Sequence, residues 1–205
     1  MMKTIKMLAI SLLLVVMGAA PGWAAKGKAE ANGKIRQAIQ RHTGMSSAVK
    51  QYASKVLLPI TENKIFLKST TEQNAQGVSL AEIKKIDGEW KAAEEEMPIQ
   101  TEKLTNTCAK EMIRIVSANS QIIEAFVMDN QGAVVCENAL TSDYWQGDEA
   151  KWQNSFNGGK GGVDVGAVEF DKSANAKLQQ ISLPIYDASG RAIGAITFGV
   201  NVGSL

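Results

Sequence analysis

From Ile35 to about Asn74, apolar residues return at helical spacing: Ile35, Ile39, Val49, Tyr52, Val56, Ile60 and Phe66. That recurrence marks the buried stripe of a long helical segment, with Pro59 as a kink and Gly77 as the stop. Ser79 and Glu82 have the spacing of a capping box, which predicts a shorter helix to about Glu95. Pro98 suits the first turn of a third helix. Its apolar stripe is Leu104, Cys108, Met112, Ile115 and Val116.

The period changes near Ile122. Residues 124–129 and 133–137 read as two strands about the turn Asn130-Gln131-Gly132. A short helix is expected up to about Phe156, broken by the glycine loop 158–162. Residues 163–170, 178–186 and 192–202 read as three further strands, the last two forming a hairpin about Asp187-Ala188-Ser189-Gly190. Helices first and strands later predict an α+β domain, with long N-terminal helices on one face of a five-stranded antiparallel sheet.

Alternation divides the last two strands into faces. Ile181, Leu183 and Ile185 share one side, as do Ile196, Phe198 and Val200; this greasy side is expected to meet the helices. Gln180, Ser182, Pro184 and Tyr186 share the other with Ala195, Thr197, Gly199 and Asn201. A second face of this kind is either solvated, as in many antiparallel sheets, or covered.

Residues 141–152, TSDYWQGDEAKW, supply a candidate cover. They place three aromatics and four charged side chains in a dozen positions of a chain that is only 6% aromatic. Aromatics beside polar groups at a sheet suit the enclosure of a small polar ligand. The candidate ligand-binding residues are therefore Asp143, Tyr144, Trp145, Lys151 and Trp152 from this run, and Gln180, Ser182 and Thr197 from the sheet. Core packing is the rival reading for each aromatic.

The N-terminus has the form of a secretory signal: Lys3 and Lys6, the apolar run Met7–Met17, then small residues before a cleavage point after Ala24. The apolar run is short for a membrane span, which needs about 20 residues, so cleavage is favoured over an uncleaved anchor. The expected organisation is a signal peptide over 1–24 and a flexible N-terminus over 25–34. One domain follows, with a helical part over 35–121 and a sheet part over 122–205. Export, to the periplasm, follows from this reading. No later apolar run or transmission module occurs in the sequence, so the chain is expected to present a ligand to a separate membrane receptor, to buffer a metabolite or to modulate a separate enzyme.

Removing residues 1–24 takes two lysines and moves the net charge from +1 to −1. Basic residues form no stripe along the sequence, and nucleic acid is not expected as a partner. In an oxidising compartment Cys108 and Cys136 are either a disulfide or two buried thiols; geometry decides.

The segments FVMDNQGAVV, TSDYWQGDEAKW, the glycine break, VEFD and ISLPIYDASGRAIGAITFGVNV together resemble the extracytoplasmic single Cache domains, also called PAS-like or PDC sensor domains. GVSLAEIKKIDGEW resembles the helical region before the sheet in exported, stand-alone members. The resemblance covers most of residues 35–203. It implies a long N-terminal helix, a five-stranded PAS-like sheet and a ligand cavity between the sheet and residues 138–162. It implies as ligand a small polar metabolite: an organic acid, an amino acid or an amine. The family's amino-acid-binding Tyr/Arg/Trp/Asp set is not matched, since 138–162 contains no Arg. An acidic ligand would need Lys151, Arg114 or backbone N–H groups. Asp143, Asp148 and Glu149 would suit a cationic one, with Trp145 and Trp152 in cation–π contact.

The sequence carries no enzymatic signature. The single histidine, His42, reads as a packing or surface residue. The GGKGG loop lacks the Ser or Thr of a phosphate-binding loop, no zinc or haem spacing occurs, and the ordered series of a calcium loop is missing. A non-enzymatic protein without cofactor or metal is expected. The rival to a small-molecule sensor is an interaction protein that dimerises or docks a receptor through its helices.

Overall fold

A computed structural model describes residues 21–171 and 175–205, with side chains from residue 26 onward. The signal-peptide expectation for 1–20 lies outside the described residues. The first helix, α1, is Pro21–Arg41. It begins well before Ile35, so the backbone of 25–34, expected to be flexible, is helical. Ile35 and Ile39 enter the core as the periodicity predicts.

The long segment after α1 is not one helix. His42 ends α1 and accepts the Gly44 N–H at Nδ1, 3.1 Å away, a turn-forming role. Ser46 then caps α2, Ser47–Tyr52, accepting the Val49 N–H. Pro59 has no N–H to give the Lys55 carbonyl, and its ring crowds that oxygen. The helix widens ahead of it: Ala53–Leu57 is a π turn in which the Leu58 N–H reaches back to the Ala53 carbonyl. It closes in α3, Leu58–Ile60, and α4 follows over Lys64–Ala75 behind an Asn63 cap.

α5 is Leu80–Ala92. Ser79 caps it by accepting the Glu82 N–H at 3.2 Å, while the Glu82 carboxylate pairs with Lys85. The third predicted helix is two: α6, Pro98–Thr105, and α7, Thr107–Ala118, divided where Asn106 turns its side chain to the Ala109 N–H. The apolar stripe belongs mainly to α7, which buries Cys108, Met112 and Ile115.

The strands are β1 Ile122–Met128, β2 Val134–Glu137, β3 Asp164–Asp171, β4 Ala176–Tyr186 and β5 Ala192–Asn201. They form one antiparallel sheet in the order β2-β1-β5-β4-β3. A short helix, α8, Ala150–Phe156, joins β2 to β3. The greasy face is as expected: Ile181, Leu183, Ile185, Ile196, Phe198 and Val200 share one core cluster with Leu57, Leu58, Phe66 and Met112 of the helices. Tyr186 is a correction. A register shift between Ile185 and Tyr186 turns it from the second face into this cluster. Cys108 and Cys136 are bridged, with Cα atoms 5.7 Å apart, joining α7 to β2. Among the described residues, no helix is long and apolar enough to cross a membrane.

Candidate functional site

Three rungs cross the second face of the sheet. Met128, Ala195 and Pro184 form the first, Phe126, Thr197 and Ser182 the second, and Glu124, Gly199 and Gln180 the third. α8 lies over β3, β4 and β5 and closes the first two rungs. Trp152 packs on Phe126, Met128 and Ala195, donates its indole N–H to the Asp129 carbonyl at 2.9 Å, and stacks on Phe156 with ring centroids 5.0 Å apart.

Beneath this cover Ser182 and Thr197 are fully buried and satisfy each other, Oγ to Oγ1 2.8 Å. Their hydroxyls are spent on the fold. Ser182→Ala should cost about 1–3 kcal/mol by orphaning the Thr197 hydroxyl, whereas Ser182→Ala with Thr197→Val should be close to neutral. Urea unfolding of the single and double variants measures that coupling.

The expected site residues separate into two groups. Asp143, Tyr144 and Trp145 run along the outer edge of β2, where Val134 and Gln146 donate N–H groups to the Tyr144 and Gly132 carbonyls. They dock on α5, not on the second face. Tyr144 packs on Ile83 and Trp90 of α5. The Trp90 indole donates to the Thr141 carbonyl and the Trp145 indole to the Gln131 carbonyl. Asp87 accepts the Trp145 N–H at 3.0 Å. Lys91 lies 2.7 Å from Asp87 and 3.7 Å from Asp143, and the hydrogen bond to Asp87 holds its ammonium above the ordinary lysine value. The second group, Trp152, Lys151, Gln180, Ser182 and Thr197, belongs to the second face. Lys151 is paired with Glu149 at 2.9 Å and stands 5.5 Å from the Phe126 ring centroid. Arg114, the other candidate cation, sits on α7 in a two-pronged pair with Glu111.

The third rung remains open. It floors a groove of about 360 Å³ lined by Glu124, Gly166, Ala167, Glu169, Phe170, Asp171, Leu178 and Gln180. Gly199 makes room for the Glu124 side chain: a Cβ there would stand 2.4 Å from Glu124 Cγ. Above it Gln180 donates to Glu124 across the gap at 3.0 Å. Phe170, 59% exposed, provides an apolar lip, and among the described residues the remaining functional groups on the wall are carboxylates. Of the eight expected residues only Gln180 lines this groove. Glu124 was legible in the alternation Glu124, Phe126, Met128; Trp90, Asp87 and Lys91 carried no local signal.

A crevice of about 370 Å³ lies off this face, between α1 and the glycine loop. There Lys34 is paired with Glu30 and the Tyr186 hydroxyl donates to the Lys160 carbonyl. Among the described residues no cluster of His, Cys, Asp or Glu could hold a metal ion.

Among the described residues Glu137 is the one carboxylate buried on the second face without full satisfaction. It is Cα partner to Phe126 and fully buried. Oε2 accepts the Thr141 N–H at 3.0 Å, and Oε1 finds no partner among the described residues. Burial pushes its carboxyl up to about 7, against smaller opposing effects of Thr141 and Lys103.

No protein-family model matches the sequence, and no curated protein does. Solved structures of similar shape exist. The sensor domain of the V. cholerae histidine kinase DctB is 11% identical, with a TM-score of 0.46; the match covers 87% of this chain and 58% of that one. The ligand-binding domain of the Campylobacter jejuni chemoreceptor Tlp3, solved with 4-methylisoleucine, is 11% identical, with a TM-score of 0.39, over 92% of this chain and 62% of that one. The extracellular domain of a histidine kinase termed rpHK1S-Z16 is 9% identical, with a TM-score of 0.36, over 84% and 58%. The chain thus spans about 60% of the length of these matches. Such values describe general architecture, and no activity is taken from them.

Proposed function

We propose that the chain is an exported sensory domain of the Cache type that binds a small, amine-bearing metabolite in the open groove of the second face. The observation that carries this reading is the groove itself. Its volume of about 360 Å³ is within the range of small-molecule sites. It combines an apolar lip, an amide and several carboxylates, a set that favours an ammonium group over an acid. The resemblance points to the same side of the sheet, though to the part that α8 fills.

A second reading is favoured by one specific observation. The sheet face beneath α8 is packed, with Ser182 and Thr197 closed on each other, as suits an interaction module that dimerises or docks a receptor through its helices without a small ligand.

A thermal-shift screen of the exported chain against amines, amino acids, organic acids and nucleobases separates the two. A native-state ligand at 100 times its Kd adds about 2.7 kcal/mol of stability. The first reading expects amine-bearing compounds to raise Tm, and Glu124→Gln to abolish the rise while leaving the unliganded Tm nearly unchanged. A flat screen supports the second reading.

A further inference from the structure

One stretch of the sequence carries an excess of cations, and folding lays it on the greasy side of the sheet. Residues 26–75, which contain most of α1 and all of α2–α4, hold nine Lys or Arg against three Asp or Glu. Residues 121–171, the first three strands and the segment with α8, hold two against nine. α1–α4 contribute their apolar stripes to the core on the greasy face, and α8 lies on the opposite face. Three of those nine acids, Asp129, Glu137 and Asp143, are buried, and Asp143 faces Lys91 of α5; the net positive charge belongs to the α1–α4 layer itself. Lys34, Arg41, Lys55, Lys64 and Lys68 are all exposed. Two of the three acids in the layer, Glu30 and Glu72, each sit beside a lysine of their own helix.

The same layer carries an apolar dent of about 290 Å³ lined by Ala48, Tyr52, Lys55, Val56 and Leu205, among others. The Tyr52 hydroxyl is buried and has no partner among the described residues. An exposed lysine thus stands at the rim of an apolar recess.

We propose that the α1–α4 layer docks on an anionic phospholipid surface. α1 alone is about 30 Å long, so the cations are spread over a broad area. They are neither concentrated in a stripe nor interleaved with stacking aromatics, as single-stranded nucleic acid would ask. A bilayer offers a wide field of negative charge whose attraction accumulates over each basic residue near it. The recess beside Lys55 takes the apolar part of a lipid whose headgroup the lysine meets. In this orientation the acidic sheet face and its groove point away from the bilayer, where like charges would repel them.

The test is sedimentation of the exported chain with vesicles of phosphatidylglycerol and phosphatidylcholine, and with vesicles of phosphatidylcholine alone. The chain is expected to pellet only with the first. Affinity should fall at least about tenfold between roughly 50 and 200 mM salt, as the Debye length shortens. Lys34→Glu with Lys64→Glu should weaken binding at least about tenfold, since each reversal removes an attraction and adds a repulsion. Lys84→Glu with Lys85→Glu, the same charge change on α5 outside the layer, should leave most of it. Both pairs are exposed, and an unchanged melting curve verifies their fold. Equal pelleting with neutral vesicles, none with either, or equal loss in both variants would overturn the proposal. So would salt-sensitive pelleting without vesicles, which would assign the basic layer to the acidic face of a second copy.

Discussion

Between about pH 5 and about pH 8 Glu137 withdraws about 2.5 kcal/mol of stability from the wild-type chain, and Glu137→Gln removes most of that slope. The carboxyl titrates at about 7 in the folded chain against an ordinary 4.5. It is raised because the charged form is buried with one oxygen unpartnered. Between those two values the folded state binds more protons than the unfolded state, so stability declines as pH rises. The contribution is complete below about 4.5 and gone once pH has passed about 7. Glutamine keeps an oxygen for the Thr141 N–H and cannot ionise. Urea unfolding at closely spaced pH values measures both proteins. Parallel pH profiles would mean that Glu137 is solvated or paired in solution.

Reducing the Cys108–Cys136 bridge, or replacing both cysteines with alanine, should lower stability by about 3–4 kcal/mol. The bridge spans 28 residues, and the figure follows from the chain entropy that such a loop withholds from the unfolded state. It also fixes α7 to β2, a four-residue strand at the edge of the sheet. Both half-cystines are buried in the main cluster, so single replacements should cost at least as much as the pair. Urea midpoints with and without reductant provide the measurement. A change under about 1 kcal/mol would show that core packing around α7 suffices without the bond.

Much of the sheet was legible because strand alternation has period two and one face is greasy. Ile181, Leu183 and Ile185 could point only to the helices. Tyr186 was misplaced because a register shift inverts facing without altering the residue pattern. The helical segment was read as continuous because its apolar stripe runs past His42 and Pro59. The breaks come from side-chain caps at Ser46 and Asn63 and a π turn ahead of the proline.

The aromatic run stands out in the sequence, but the partners that hold it lie far away in the chain. Tyr144 and Trp145 belong to α5 because Trp90 and Asp87 meet them there. Gly147 allows this only without a side chain, since a Cβ would stand 2.3 Å from the Trp145 indole nitrogen. Trp152 turns the other way because α8 starts at Ala150. Local spacing holds no information about such a division. The groove escaped notice for a related reason: one wall is Gly166, Ala167, Glu169 and Phe170 of β3, and local spacing does not show that these residues stand beside Glu124 and Gln180.

The central claim is that the ligand occupies the open third rung of the second face. The measurement that tests it most directly is a titration of the isotope-labelled chain with the amine-bearing compound that most raises Tm, followed residue by residue through backbone amide shifts. The account predicts shifts concentrated at Glu124, at 164–171, at 178–180 and at Gly199, with 26–68 unmoved. Shifts centred on Ser182, Thr197 and Trp152 would place the ligand beneath α8, and shifts centred on the helices would remove it from the sheet; either result would contradict the claim.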